Sequence, residues 1–154
     1  MKNLLLAVVK THPCWAALIA RLTLVFVIFP HGTQKALGWF GGPGLQNVLT
    51  FFTRDLHLSP FWAWLVIATE FLAPIGLFLG LLTRISSLGI IGVMAGAIGL
   101  IHYHNGFFMN WSGQQKGEGF EYHILVLGLA LVCLIAGGGK ASIDSWLTSR
   151  FAKR

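Results

Sequence analysis

Arg21 and Glu70 stand out first, because each is an ionisable side chain set deep in a long apolar stretch. Arg21 lies about seven residues from the edge of its stretch, or about 10 Å at helical rise. Glu70 lies about nine residues from the opposite edge of the next stretch, or about 13 Å. Across a hydrocarbon core of about 30 Å the two depths differ by about 7 Å, which an arginine can bridge. A lone charge at mid-membrane costs at least about 2.5 kcal/mol. The two are therefore expected to pair or to share water. Either a structural ion pair that fixes helix register or a proton-responsive, ligand-binding pair satisfies that requirement.

A second group is richer in titratable chemistry. His31 and Lys35 are four apart and share a helix face. His102, Tyr103 and His104 close the third apolar stretch, and Glu121, Tyr122 and His123 open the fourth. Histidine titrates near neutral pH and can relay protons or bind metal. Metal ranks lowest: His102 and His104 sit about 200° apart around a helix, as do Glu121 and His123. No H-x-x-x-H or C-x-x-C spacing occurs. A polar rim and a proton-linked or head-group-binding site both stay open. The candidate ligand-binding residues are Arg21, His31, Lys35, Glu70, His102 and Glu121. Glu70, His102 and Glu121 are candidate proton relays, and neither a metal nor a nucleotide site is expected.

The elements that must position these residues follow from composition. The chain has 154 residues, 55% hydrophobic and only 10% charged. Mean hydropathy is +0.72. So few charges cannot cover a water-facing surface, and such hydrophobicity excludes intrinsic disorder. Apolar stretches near 20 residues argue for spanning helices rather than barrel strands. The fold expected is an all-α, four-transmembrane-helix bundle forming one domain over residues 1–154. Its spans fall at about 14–36, 61–82, 85–104 and 120–137. Lys2, Lys10, Arg84, Lys140, Arg150, Lys153 and Arg154 fall on one side, against Lys35, Arg54 and Lys116 on the other. That bias predicts cytoplasmic N- and C-termini. The net charge of +6 thus reflects cytoplasmic anchoring; no basic run interleaves with polar residues, so nucleic acid is not an expected partner. Pro74 has no N–H for the Glu70 carbonyl, and Pro30 none for that of Phe26. A kink beside Glu70 would open a cavity.

Between spans one and two, Gly41-Gly42-Pro43-Gly44 breaks the chain. Leu45, Val48, Leu49, Phe52 and Leu56 then recur at helical spacing, predicting an interfacial amphipathic helix at about 44–57. It either plugs the bundle end or covers a cavity. Phe107, Phe108, Met109 and Trp111 in the last outer loop are read as membrane anchors or as a ligand cover. The stripe Gly89, Gly92, Gly96 and Gly99 points to close packing within the bundle, with dimerisation as the other reading. Leu4–Val9 is too short for a signal peptide and is expected to lie at the interface. Cys14 and Cys133 read as small hydrophobes rather than a redox pair. No nucleophile elbow, Walker loop or dinucleotide fingerprint is present, and Gly137-Gly138-Gly139-Lys140 ends a span instead of following a strand.

His31-Gly32-Thr33-Gln34-Lys35 followed by Gly38-Trp39-Phe40-Gly41-Gly42-Pro43-Gly44 resembles the signature of the DoxX family. Arg21, Glu70 with Pro74 and Gly76, and Leu81-Leu82-Thr83-Arg84 fit the same pattern, as do Asn105-Gly106-Phe107-Phe108 and Gly119-Phe120-Glu121-Tyr122. Gly137-Gly138-Gly139-Lys140 through Ser142-Ile143-Asp144 resembles the family's closing motif, with Gly138 where many relatives have proline. The resemblance implies a four-span protein of the bacterial inner membrane, linked to membrane oxidoreductase systems. On that basis the chain is expected to be at most a membrane subunit without its own electron-carrying cofactor. It would bind a quinone-like or amphipathic molecule and work with a redox partner protein or as a homodimer. A non-enzymatic transporter, lipid-binding module or scaffold is the alternative.

Overall fold

The computed structural model describes residues 8–152. Leu4–Leu6 and Ala7 of the expected interfacial segment, with Lys2, Lys153 and Arg154 of the charge bias, lie outside the described residues. Helix α1 is Trp15–Leu37, α2 is Gly44–Thr50, α3 is Pro60–Leu79, α4 is Thr83–Ala97, α5 is Glu121–Ala136 and α6 is Ile143–Ala152. Among the described residues there is no strand. α1, α3, α4 and α5 form a closed ring in which each packs on its neighbours in that order, α5 returning to α1. Their shared core is Leu24, Ile28, Leu77, Ile90, Met94 and Ala130, with smaller residues between.

Among the described residues three helical stretches are long and apolar enough to cross a membrane: Trp15–Leu37, Pro60–Leu79 and Thr83–Asn105. The fourth, α5, is apolar but has only 16 residues. That is about 24 Å of helix, short of a hydrocarbon core of about 30 Å. The preceding loop extends it, since Phe120 and Glu121 donate backbone hydrogen bonds to the Gly106 and Phe107 carbonyls.

The amphipathic segment forms with its expected face inward. Val48 and Phe52 are buried against Ala63 and Ile67 of α3, with Leu45, Leu49 and Leu56 around them. It is not a uniform helix: after Thr50 the chain widens into a π-helical turn over Phe51–Asp55. α4 ends similarly, in a π-helical turn at Ile98–His102 and a tight 3-10 turn at Tyr103–Asn105.

Arg21 does not pair with Glu70. It is 1% exposed, and its guanidinium donates to four carbonyl oxygens, those of Leu77, Phe78, Lys140 and Ala141, at 2.8–3.2 Å. Leu77 and Phe78 end α3, where carbonyls lose their regular helical donors; Leu77 also accepts from the Gly80 amide at 3.1 Å. Arg21 therefore caps α3 from a neighbouring helix. Gly80, in the left-handed region at φ 62°, makes room, because a Cβ there would fall on the Arg21 guanidinium. Asp144 does the converse for α4: its carboxylate accepts from the Leu82 and Thr83 amides, both at 2.9 Å. Arg84 caps α5 by donating to the Leu134 and Ile135 carbonyls. The described terminal segments meet at this same end, where His12 and Thr11 bond to the Ala136 carbonyl and Thr148 to that of Val9.

The glycine stripe of α4 does not pack as expected. Only Gly89 closely approaches a neighbour, with Thr69 Cγ2 2.9 Å from the place of a Cβ. Gly92, Gly96 and Gly99 face open space.

Replacing Arg21 by methionine strands these carbonyls. Unsatisfied buried polar groups cost about 1–3 kcal/mol each. Arg21→Met is expected to lower stability in detergent by about 2–4 kcal/mol, with Arg21→Lys recovering part of it. Denaturant titration followed by tryptophan fluorescence checks this, and unchanged stability in Arg21→Met contradicts the capping role.

Candidate functional site

Away from the capped end, α1, the α2 segment, α3, α4 and α5 enclose a cavity of about 580 Å³. Its floor carries an ion pair between Lys35 Nζ and Glu70 Oε2. The pairing has a backbone cause. Gly32 lies against Glu70 so closely that a Cβ there would fall on the Glu70 carbonyl oxygen and 2.9 Å from Phe71 Cα. This is the carbonyl that Pro74 cannot serve. Without a side chain at Gly32, α1 can approach this carbonyl closely. One turn along α1, Lys35 reaches the Glu70 carboxylate.

The remaining polar groups come from the other side. His102 and His123 bring their ring centres within 4.1 Å, and His31 stands 6.2 Å from the Tyr122 ring. The π-helical turn ending α4 carries His102 to the cavity, while His104 stays exposed beside Tyr103. His102 Nδ1 lies 2.8 Å from the Glu118 carbonyl oxygen; that acceptor requires the proton on Nδ1. His123 is 6% exposed, and its Nδ1 has no hydrogen-bond partner. The Tyr122 hydroxyl is likewise buried without a partner. Both residues line the cavity. Buried polar groups are nearly always hydrogen-bonded, so two orphans in one chamber indicate that something polar belongs there.

Of the expected site residues, the cavity gathers His31, Lys35, Glu70 and His102. It does not gather Arg21 or Glu121. Glu121 lies about 200° around α5 from His123. Its carboxylate accepts from the Met109 amide and the Trp111 indole N–H, both at 3.1 Å, and so folds the outer loop. The loop's expected roles divide: Met109 lines the cavity, whereas Phe107, Phe108 and Trp111 point outward, Trp111 being 88% exposed. The α2 segment is a wall of the chamber, through Val48, Phe51, Phe52 and Leu56.

Tyr122 and His123 carry more of the site than their place in the sequence cluster suggested. For His123 a signal existed: it is in phase with Val126, Ala130 and Cys133, the buried face of α5. Gln34 and Glu118 also line the chamber, and no periodicity pointed to them. Among the described residues no group of three or more histidine, cysteine or acidic side chains is placed to hold a metal ion.

The ion pair makes a cycle of variants informative. Removing one partner of a buried pair costs about 3–5 kcal/mol, whereas removing both is often close to neutral. Lys35→Met is expected to destabilise by several kcal/mol, and Lys35→Met with Glu70→Gln to lie nearer the wild type. Denaturation of the four proteins in one detergent checks this, and simple additivity contradicts the coupling.

A family model described as DoxX matches residues 16–103. The match runs from the start of α1 to the end of α4 and includes His31, Lys35, Glu70 and His102. The resemblance read in Asn105–Phe108, Gly119–Tyr122 and the closing motif lies beyond it. No curated protein and no solved structure matches the chain. The family match covers more than half of the 154 residues, and with the long apolar helices it makes this chain a multi-pass membrane protein belonging to the DoxX family.

Proposed function

We propose that the cavity binds the head of a quinone-like molecule and that the protein serves as a redox-linked membrane subunit. The observation that carries this reading is the pair of orphaned polar groups, Tyr122 hydroxyl and His123 Nδ1, beside a charge-balanced ion pair in an apolar chamber. A neutral ring with carbonyl and hydroxyl oxygens suits that lining. An anionic phosphate head suits it less: among the described residues Lys35 is the one lysine or arginine lining the cavity, and it stands against two carboxylates, Glu70 and Glu118.

In this reading Tyr122 donates a hydrogen bond to one oxygen of the ring, and His123 and Lys35 orient the head. A bound quinone supplies two-electron, two-proton chemistry, its electrons coming from a partner redox protein. Glu70 and His102 are the groups placed to exchange protons, His102 through the solvent-facing Glu118 segment. Lys10, Arg84, Lys140 and Arg150 lie toward the end where the described termini meet, which supports a bacterial inner membrane location with both termini cytoplasmic. The cavity then opens toward the extracytoplasmic half.

Native mass spectrometry with absorbance spectra on protein purified in mild detergent tests this. A co-purifying quinone is expected. Tyr122→Phe and His123→Phe should each weaken binding of a benzoquinone by roughly tenfold. Retention of a phospholipid or a stoichiometric protein partner, with no quinone bound, would instead support the non-enzymatic transporter, lipid-binding or scaffold reading.

A further inference from the structure

α3 and α4 make their close glycine contacts on one stretch only. They pack closely toward the capped end, where a Cβ on Gly76 would lie 2.7 Å from Ser86 Oγ and one on Gly89 2.9 Å from Thr69 Cγ2. Beyond that, Gly92, Gly96 and Gly99 have nothing within 4 Å of the place of a Cβ. An apolar groove of about 740 Å³ runs between the two helices on the outside of the bundle, with exposed Leu72, Ile85 and Leu88 along it. Its only side-chain polar atoms besides the Trp62 indole come from Thr69 and Ser86. The groove and the polar cavity share Trp62, Val66, Gly92 and Val93 in their walls.

We infer that this groove holds the hydrocarbon tail of the molecule whose head occupies the cavity, and that the opening at Gly92 is its lateral door from the bilayer. The inference rests on the quinone-like reading of the cavity and names the missing part of that ligand, a lipophilic chain attached to a neutral ring. Two observations select this occupant. The groove borders the polar chamber across Trp62, Val66, Gly92 and Val93, so the two together fit a molecule with a polar head and one apolar tail. The chamber is lined by Lys35 against Glu70 and Glu118, so it disfavours an anionic head, and the partnerless Tyr122 hydroxyl and His123 Nδ1 suit a neutral one. Gly92 matters because any side chain there would stand in the passage between the two spaces.

The test compares two ligands in nanodiscs of one lipid composition: a tail-less dimethoxy-methylbenzoquinone and the same ring bearing a geranyl chain. Wild-type protein is expected to bind the geranyl compound about tenfold or more tightly, because the chain leaves water and packs along the groove, and the groove variants separate that contact from partition into the bilayer. Gly92→Leu should erase most of that gain, and Ala68→Phe, in the groove and not in the cavity wall, should do so while changing tail-less binding less than about twofold. Gly128→Leu, on an exposed face of α5 with open space around it, serves as the folding control and should behave as wild type. A diazirine at the end of the geranyl chain should label α3 and α4 near Leu72, Ile85 or Leu88. Ring binding without any gain from the tail, an unaltered gain in Gly92→Leu, or labelling confined to α1 and α5 overturns the tail groove and leaves the cavity reading standing. A wild-type protein that binds neither compound overturns both.

Discussion

The contact between Gly32 and the Glu70 carbonyl is the constraint around which the site is built. Membrane helices gain little from burying apolar surface against one another, because lipid is as apolar as leucine. Close backbone approach and polar pairing must then define the geometry. Gly32 permits the approach, and Pro74 leaves the carbonyl that receives it. The approach puts Lys35 within reach of a carboxylate that would otherwise stand unpaired in an apolar wall. With α1 and α3 locked there, the α2 segment packs across them at Val48, Phe52, Ala63 and Ile67, and closes one side of the chamber.

The opposite end solves a different problem with the same currency of charge. Three helix ends converge there, and each carries backbone groups that lipid cannot satisfy. Arg21, Arg84 and Asp144 serve them, two by donating to terminal carbonyls and one by accepting from terminal amides. A bundle stitched at one end and open at the other concentrates its rigidity away from the cavity. The close α3–α4 contacts at Gly76 and Gly89 precede Gly92, Gly96 and Gly99, which meet no neighbour.

Two irregular turns then aim the lining. An α-helix continued through His102 would keep the spacing of the residues before it, but the wider turn at Ile98–His102 redirects the last residues of α4. His102 comes to face His123, and His104 stays outside. The turn at Phe51–Asp55 similarly lets both Phe51 and Phe52 border the chamber. Such widened turns occur often at functional sites, where they place side chains that regular helix cannot.

The helices, the amphipathic segment and its inward face were legible in the sequence, because each depends on local spacing of apolar residues. So was the membership of His31, Lys35, Glu70 and His102 in one polar group, since helix ends at the same level must share a layer. What local spacing does not contain is which acceptor a charge finds. Depth alone made Arg21 a partner for Glu70, yet Arg21 meets carbonyls at the end of α3 and Lys35 takes the carboxylate. Glu121 went to the loop and His123 to the cavity for the same reason, as the rotation of α5 about its axis is set by packing. Sequence by itself determined that a few charges had to be satisfied inside an apolar chain. Tertiary structure decided by whom, because hydrogen bonds and ion pairs act over a few ångströms, and only the packed helices fix those distances.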